Sequence, residues 1–501
     1  MKHICCIIFI LIAQQYFLLS QKHDNIWLSG YDGGSGSPNN DLFGVNVFDF
    51  SSGALSLYDN QNIEMWFDAA NSSICDTAGN LLFYTNGVNV NNRLHQLMKN
   101  GNGLNTPDGT DGYILPQGVL VLPFPEHENQ YILFSGTKRF YPGISQHMGY
   151  LYYSIIDMNA ENGLGKIIQK KVLLISDTLD VGKLTAMRHG NGRDWWILVS
   201  ESNTNRFYRI LIGPAGVTID GNQEIGEAQK FGLGQSVFSP DGKNFIICSG
   251  FLLNDNRLYI YDFDRCSGLL SNQKVFYFSE TIYSSGVSVS RNSRYLYYSA
   301  HKKIYQFDLW SPDVGGSQKT VAVYDGSQNP FGSTFFLAQL APDNKIYVNC
   351  GNGENVMHVI HDPDKEGLSC NVEQHGIQLP CYNSFSIPNF PNYRLYDMSG
   401  SPCDTLGIDG PVVDVASPEE NKLQLKVLPN PFHDRLSVSL SASLRSPVFR
   451  LYDMTGRLVN EQRLVSGITE TNTGNLPAGL YFWEIRSNGE QIKAGKAVKA
   501  P

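Results

Sequence analysis

Asp362-Pro363-Asp364-Lys365-Glu366-Gly367, followed by Glu373, places carboxylates at positions 1, 3, 5 and 12 of a twelve-residue span and glycine at position 6. Oxygen ligands at that spacing could wrap a calcium ion, so Asp362, Asp364, Glu366 and Glu373 are the metal candidates. The run before them, Val356-Met357-His358-Val359-Ile360, reads as a strand where a calcium-binding helix–loop–helix needs a helix. A solvated turn between strands is the simpler reading, and no cofactor other than calcium is expected. Asp108-Gly109-Thr110-Asp111-Gly112 poses the same choice between an oxygen-rich metal loop and a Gly-Asp turn. His147 and His189 fall near predicted strand ends, where a lone imidazole is more often structural than ligating. Trp195-Trp196 could stack on a sugar ring, but an apolar strand around them puts at least one in the core. There is no His-Glu-x-x-His, Gly-x-Ser-x-Gly or phosphate-binding loop, and no catalytic residue is assigned.

Cysteine chemistry is equally sparse. Of nine cysteines, Cys5 and Cys6 lie in the leader, and no Cys-x-x-Cys occurs among the seven that remain. An odd number leaves at least one thiol unpaired in an oxidising compartment. Cys370 and Cys381, eleven residues apart in a loop-like stretch, are the pair expected to bridge.

The elements that must position these residues are strands. Only 17% of the 501 residues are charged, while 12% are aromatic and 48 are glycine. Such a composition suits short strands and tight turns and makes poor helical bundles. A net charge of -9 argues against nucleic acid as a partner. Lys2 and His3 precede the apolar run Ile4–Ala13, which Gln14 and Gln15 end. This pattern predicts a secretory signal over residues 1–20, too short to span a bilayer.

Three segments align without gaps. Ser239-Pro240-Asp241-Gly242-Lys243-Asn244 precedes Phe245–Cys248, Ser290-Arg291-Asn292-Ser293-Arg294 precedes Tyr295–Ser299, and Ala341-Pro342-Asp343-Asn344-Lys345 precedes Ile346–Cys350. The spacing is 51 residues each time, and each segment is a turn feeding an apolar strand. Weaker copies upstream extend the series, giving turn anchors at 79, 129, 192, 242, 293 and 344, with a seventh near Asn392 before Tyr393–Tyr396. Several short strands per period of about fifty residues, repeated six or seven times, predict a β-propeller. A lone small sheet cannot bury both faces, but neighbours stacked around an axis can. Seven blades are expected, with six as the alternative, and the constant spacing disfavours a pair of β-sandwiches. Val45–Phe50 has the character of an outer strand and should close the ring by completing the blade that ends near Tyr396. Cys248 and Cys350, 102 residues apart, then occupy equivalent strand positions two blades apart and cannot meet.

Cys75-Asp76 through the run Leu82-Phe83-Tyr84-Thr85-Asn86-Gly87, together with Ser239–Cys350, resembles secreted propellers of the WD40-like and lactonase-like kind. The Trp-Asp dipeptide that ends a WD40 blade is absent.

Met398 to Asn421 is rich in Gly, Pro, Ser and Asp and reads as a linker. Beyond it the charge changes sign: residues 423–501 hold ten basic and six acidic side chains, +4, which leaves -13 for the rest. Alternating strands with explicit turns predict a small immunoglobulin-like β-sandwich. Leu428-Pro429-Asn430-Pro431-Phe432, Leu451-Tyr452-Asp453-Met454-Thr455-Gly456-Arg457, Leu476-Pro477-Ala478-Gly479-Leu480-Tyr481-Phe482 and Gly495-Lys496-Ala497-Val498-Lys499 resemble, in order, the type A C-terminal sorting domain of the type IX secretion system. The resemblance implies the motif residues Pro429, Asn430, Pro431, Phe432, Asp453, Gly456, Gly479, Tyr481, Gly495 and Lys496. It also implies passage across the outer membrane of a Gram-negative bacterium and removal of the domain by a sortase-like peptidase, leaving cargo secreted or on the cell surface.

The expected order is therefore a signal peptide (1–20), a propeller (21–398), a linker (399–422) and a sorting domain (423–501). The leading functional expectation is a binding module for a glycan or another extracellular polymer or protein. The alternative is an extracellular metal-dependent hydrolase or lactonase-like enzyme, and a passive structural protein is the third reading. Convergent Asp, Glu, His or Asn lining a central channel would favour the enzyme. A channel plugged by Tyr, Phe and Ser beside an exposed aromatic face would favour binding.

Overall fold

A computed structural model describes residues 21–31, 42–105, 112–141, 144–250, 255–328, 330–406, 408, 425–428, 431–440, 447–465, 467–487 and 490–500. The leader, Asp108–Asp111, Pro429, Asn430 and most of the linker lie outside these residues. The chain divides into two compact units, 1–413 and 414–501.

The first unit contains seven antiparallel sheets laid out in chain order. Five are four-stranded, and in all five the strands follow one another across the sheet. Blade 5, for example, runs Ser236–Phe238, Asn244–Ser249, Asn256–Asp264 and Leu269–Phe278. Blades 3, 4, 6 and 7 begin at Val119, Ala186, Ser285 and Phe335. Blade 2 has three strands, Ser72–Cys75, Leu81–Thr85 and Val90–Asn92, and blade 1 has Ile26–Gly30, Val45–Asp49 and Ser56–Asp59. In blade 6 the first strand, Ser285–Val289, is buried along its whole length, whereas the last, Lys319–Val323, mostly faces solvent. This is the burial gradient of blades packed around an axis, and the unit is a seven-bladed propeller.

The turn anchors explain why the repeat is legible. Each lies between the first and second strand of its blade, and all six have a left-handed backbone: Gly79 (φ 98°), Asn129 (60°), Gly192 (76°), Gly242 (74°), Ser293 (63°) and Asn344 (68°). Glycine and asparagine tolerate that region best, so the turn geometry dictates the residue type at each anchor. The seventh expected anchor differs. Residues 391–396 form no strand, and the strand that should follow comes from the N-terminus. Ser384 N donates to Gly30 O at 3.0 Å, and Trp27 packs on Phe390 with ring centroids 5.7 Å apart. The segment 384–390 thus takes the innermost place of blade 1, and the two chain ends close the ring together.

The expected Cys370–Cys381 bridge is corrected: the disulfide lies between Cys266 and Cys403, with Cα atoms 5.5 Å apart. The stretch that looked like a loop is the strand Val372–Asn383, so about nine extended residues at roughly 3.3 Å each hold Cys370 and Cys381 about 30 Å apart. Cys370 is buried near Tyr297, and Cys381 N bonds Asn46 Oδ1.

The second unit is a two-sheet sandwich. Leu425–Leu428, Arg435–Leu440 and Gly467–Asn472 form one sheet; Leu458–Arg463, Val448–Tyr452, Gly479–Ser487 and Glu490–Lys499 form the other. Phe432, Leu436, Val438, Phe449, Leu451, Tyr481 and Ile485 are buried between them. Phe432 is sealed by backbone bonds to Val498 O and from Ala500 N, both 2.8 Å. Asp453 Oδ1 accepts from the amides of Thr455 and Arg457, which fixes the turn that Gly456 completes at φ 81°. Tyr481 donates to Pro477 O, and Trp483 lies so close over Gly495 that a Cβ there would stand 2.5 Å from the indole. Gly479 and Lys496 sit on adjacent strands of that sheet. Pro431 lies in a bend just before Phe432.

Candidate functional site

Because neighbouring strands are antiparallel, connections within a blade alternate between the two ends of the ring. First-to-second and third-to-fourth turns share one face, here called the anchor face. Second-to-third turns and blade-to-blade loops share the opposite face. Both chain ends meet the ring at the anchor face: Arg394 pairs with Asp24, Met398 N donates to Gly190 O, and Cys403 is bonded to Cys266 in the turn after Asp264. The opposite face is therefore the one clear of the ring's own termini.

The centre of the ring is filled by the protein's own chain. Asn389, 4% exposed, donates from Nδ2 to Val119 O (2.9 Å) and Leu184 O (2.8 Å) and accepts from Gln117 Nε2 (3.1 Å). Its backbone joins Asn71 O, so a single residue touches three other blades. Gln117 also exchanges two bonds with Ser236, and Gln235 binds Ala338 through both amide atoms and Val287 N through its oxygen. Phe385 leans on Phe336, Ser386 Oγ accepts from Asn71, and Tyr393 donates to Val121 O at 2.8 Å. The loop 180–185 adds a buried Lys183–Asp180 pair at 2.6 Å, and Gly182 there packs against Pro116 O with no room for a Cβ. Among the described residues, the axis is thus occupied by the chain's own amides, hydroxyls and backbone carbonyls.

On the opposite face, aromatic side chains form a band across blades 1, 7 and 6. Tyr31, Phe43 and Tyr382 make a cluster with centroids 5.1, 5.6 and 6.5 Å apart. Tyr31 covers Gly353, where a Cβ would stand 2.6 Å from its ring. Next to it lies Glu354, whose Oε1 accepts from Phe331 N at 2.9 Å. Phe331 is 53% exposed, and beyond it Tyr283, 55% exposed, sits edge-on to His301. Beneath the band, Glu354 is 1% exposed, and among the described residues its Oε2 and the buried Thr334 Oγ1 have no hydrogen-bond partner. Burial raises the Glu354 carboxyl to about 7. Exposed aromatic faces such as Phe331 and Tyr283 suit a ligand with apolar C–H faces.

One nearby pair has the look of nucleophile and base: Cys350 Sγ lies 3.6 Å from His358 Nε2. Burial pushes the thiol pKa up and the imidazole down to about 3, so both are neutral and the reactive thiolate–imidazolium form is disfavoured. Their surroundings make this a structural contact.

The sequence-selected residues are dispersed. Asp362 pairs with Lys365, Asp364 Oδ1 accepts from Asn292 N, Glu366 pairs with Lys319, and Glu373 faces His361 at 2.6 Å. Among the described residues no three His, Cys, Asp or Glu side chains are placed to hold a metal ion. His147 is buried against Phe231, and His189 Nδ1 accepts from Asn191 N. Trp195 and Trp196 are both buried, so neither offers a stacking face. Sequence reasoning passed over Gln117, Gln235 and Asn389. For the two glutamines the one signal was an amide one or two residues before the first strands of blades 3 and 5.

Residues 426–499 match the family model for the secretion system C-terminal sorting domain. No curated protein sequence matches the chain. Among solved structures, a putative 6-phosphogluconolactonase of Bacteroides fragilis is 12% identical, with 72% of this chain and 97% of that one covered and a TM-score of 0.43. A protein of Lactobacillus plantarum is 11% identical, with 72% and 99% covered and a TM-score of 0.42. PorZ, a surface component of the type-IX secretion system of Porphyromonas gingivalis, is 12% identical, with 91% and 73% covered and a TM-score of 0.30. At these scores the propeller assignment rests on strand order and burial. The sorting-domain match makes the chain a cargo of the type IX secretion machinery and a secreted or outer-surface protein. No helix among the described residues is long and apolar enough to cross a membrane.

Proposed function

We propose that the propeller, residues 21–398, is a binding module that grips a neutral extracellular polysaccharide on its aromatic face after a sortase-like peptidase has removed residues 423–501. The observation that carries this reading is the plugged ring: Asn389, Tyr393 and the two glutamines occupy the axis where a propeller enzyme would gather its reacting groups. The band supplies what binding needs in two exposed rings, Phe331 and Tyr283, continued by the half-buried Tyr31, Phe43 and Tyr382. The -13 charge outside the sorting domain disfavours a polyanionic polymer. Because that domain's charge is opposite, its removal leaves a more acidic product.

The test is retention on immobilised neutral polysaccharides at physiological salt. The mature chain should be retained, and a Phe331→Ala, Tyr283→Ala double variant should lose about tenfold or more in affinity, the scale expected for losing two stacking rings. Equal retention of wild type and double variant would refute the assignment of this face.

A further inference from the structure

A second place on the propeller has the dimensions of a small-ligand site. Between blades 1 and 2, on the outer flank of the ring, lies a cleft of about 330 Å³ with Leu28 and Leu81 in its apolar lining and Asp49, Tyr58, Arg93 and His95 among its polar groups. That volume is near the lower limit of ordinary ligand pockets and admits one ring-sized molecule.

The walls are held in place before any ligand arrives. His95 stands at φ 63°, a conformation a non-glycine residue adopts only when its surroundings impose it. Its turn is tied by Asn92 Oδ1, which accepts from the amides of Leu94 and Gln96. Asn60 Nδ2 donates to His95 Nε2 at 3.2 Å, which leaves the proton on Nδ1, 3.3 Å from the Tyr84 hydroxyl. Burial lowers the imidazole pKa, so the ring is a neutral fixed wall. Tyr58 is 43% exposed and offers its phenol to the cleft. Arg93 donates to Gly163 O and, among the described residues, makes no ion pair. Asp49 Oδ1 accepts from Ser51 N at 2.7 Å.

A carboxylate and a guanidinium therefore line one small cleft beside an aromatic ring. An anion would meet Asp49 and a simple cation would meet Arg93. An uncharged polyol suits both, because each hydroxyl donates to a carboxylate and accepts from a guanidinium, while a ring's C–H face packs on Tyr58. We infer that this cleft is a binding site for a single neutral pyranose ring, separate from the aromatic band on the opposite face. It does not depend on the polysaccharide reading of that face.

The experiment is saturation-transfer NMR and titration of the full mature chain with methyl glycosides of glucose, galactose and mannose and with N-acetylglucosamine. A ligand of so few atoms should bind in roughly the millimolar range. At least one sugar should bind saturably, about tenfold more weakly to Tyr58→Ala and to Asp49→Asn, and unchanged to the Phe331→Ala, Tyr283→Ala variant. These two cleft side chains lie at the surface, so circular dichroism of both variants should match wild type. The inference is overturned if no sugar binds saturably up to roughly 20 mM, if binding survives both cleft substitutions, or if only the band variant abolishes it. Saturable binding of glycine in place of every sugar would also overturn it, since a zwitterion can bridge the same two charges.

Discussion

Asn389→Ala should loosen the whole ring, although the substitution removes only an amide group. Asn389 sits on the axis, 4% exposed, and its side chain makes three hydrogen bonds of 2.8 to 3.1 Å to groups in blades 3 and 4 and the loops before them. Truncation strips a bond from each of Val119 O, Leu184 O and Gln117 Nε2 where water does not readily replace it. At about 1–2 kcal/mol for each buried group deprived of a partner, the loss is about 3–6 kcal/mol. Urea unfolding of the full chain with its disulfide intact, followed by tryptophan fluorescence, to which the ring contributes five of the six tryptophans, reads the ring's transition. With a slope of about 4 kcal/mol per molar for a ring of this size, the midpoint should fall by about 1 M. Asn222→Ala, on an exposed strand, is the control and should move it by less than about 0.2 M. A Gln117→Ala, Asn389→Ala double variant should cost less than the sum of the two, because they share a bond. If Asn389→Ala behaves like the control, the segment 384–394 does not plug the ring and the closure described here is wrong.

Other consequences follow from the same contacts. Glu354→Gln keeps the bond from Phe331 N and removes an ionisable group whose folded pKa, about 7, lies above its unfolded value. Such a group lowers stability as pH rises from the unfolded value through 7, so the variant should match wild type near pH 4 and melt higher at pH 8, by up to about 2 kcal/mol. Cys266→Ala, Cys403→Ala should lower stability by about 2–4 kcal/mol, because the bond closes 137 residues of chain, and non-reducing peptide mapping should recover Cys266 with Cys403 and no Cys370–Cys381 peptide. Phe432→Ala removes a side chain with 0% exposure from the small core of the sorting domain. It should cost that domain about 3–5 kcal/mol and trap the protein inside the cell envelope, measured by fractionating cells and medium.

Much of the fold was written in the sequence because one geometric demand recurs. A tight turn with a left-handed residue must precede each second strand, which confines the anchor to Gly, Asn or Ser and makes the 51-residue spacing visible. Ring closure was only partly legible: the N-terminal strands announce themselves by alternation, but 384–390 forms no ladder and carries no period to read. The disulfide was misplaced because Gln374, His375 and Gly376 give a bulged outer strand the composition of a loop. The metal candidates fitted a spacing rule that assumes a local loop, whereas Glu373 belongs to a strand paired with Val359. The sites now in view were hidden for a different reason. The aromatic band collects residues from 31 to 382, and the cleft collects them from 26 to 95, from turns without a shared motif. Only the closed ring brings them together.

The central claim is that this exported ring binds a polysaccharide and does not cut it. The most direct measurement incubates the purified mature chain with an insoluble neutral polysaccharide, then quantifies both the protein that cosediments and the length of the polymer. Cosedimentation that depends on Phe331 and Tyr283, with polymer length unchanged, is the predicted result. Shortening of the polymer, or no cosedimentation with any neutral polysaccharide, would contradict it.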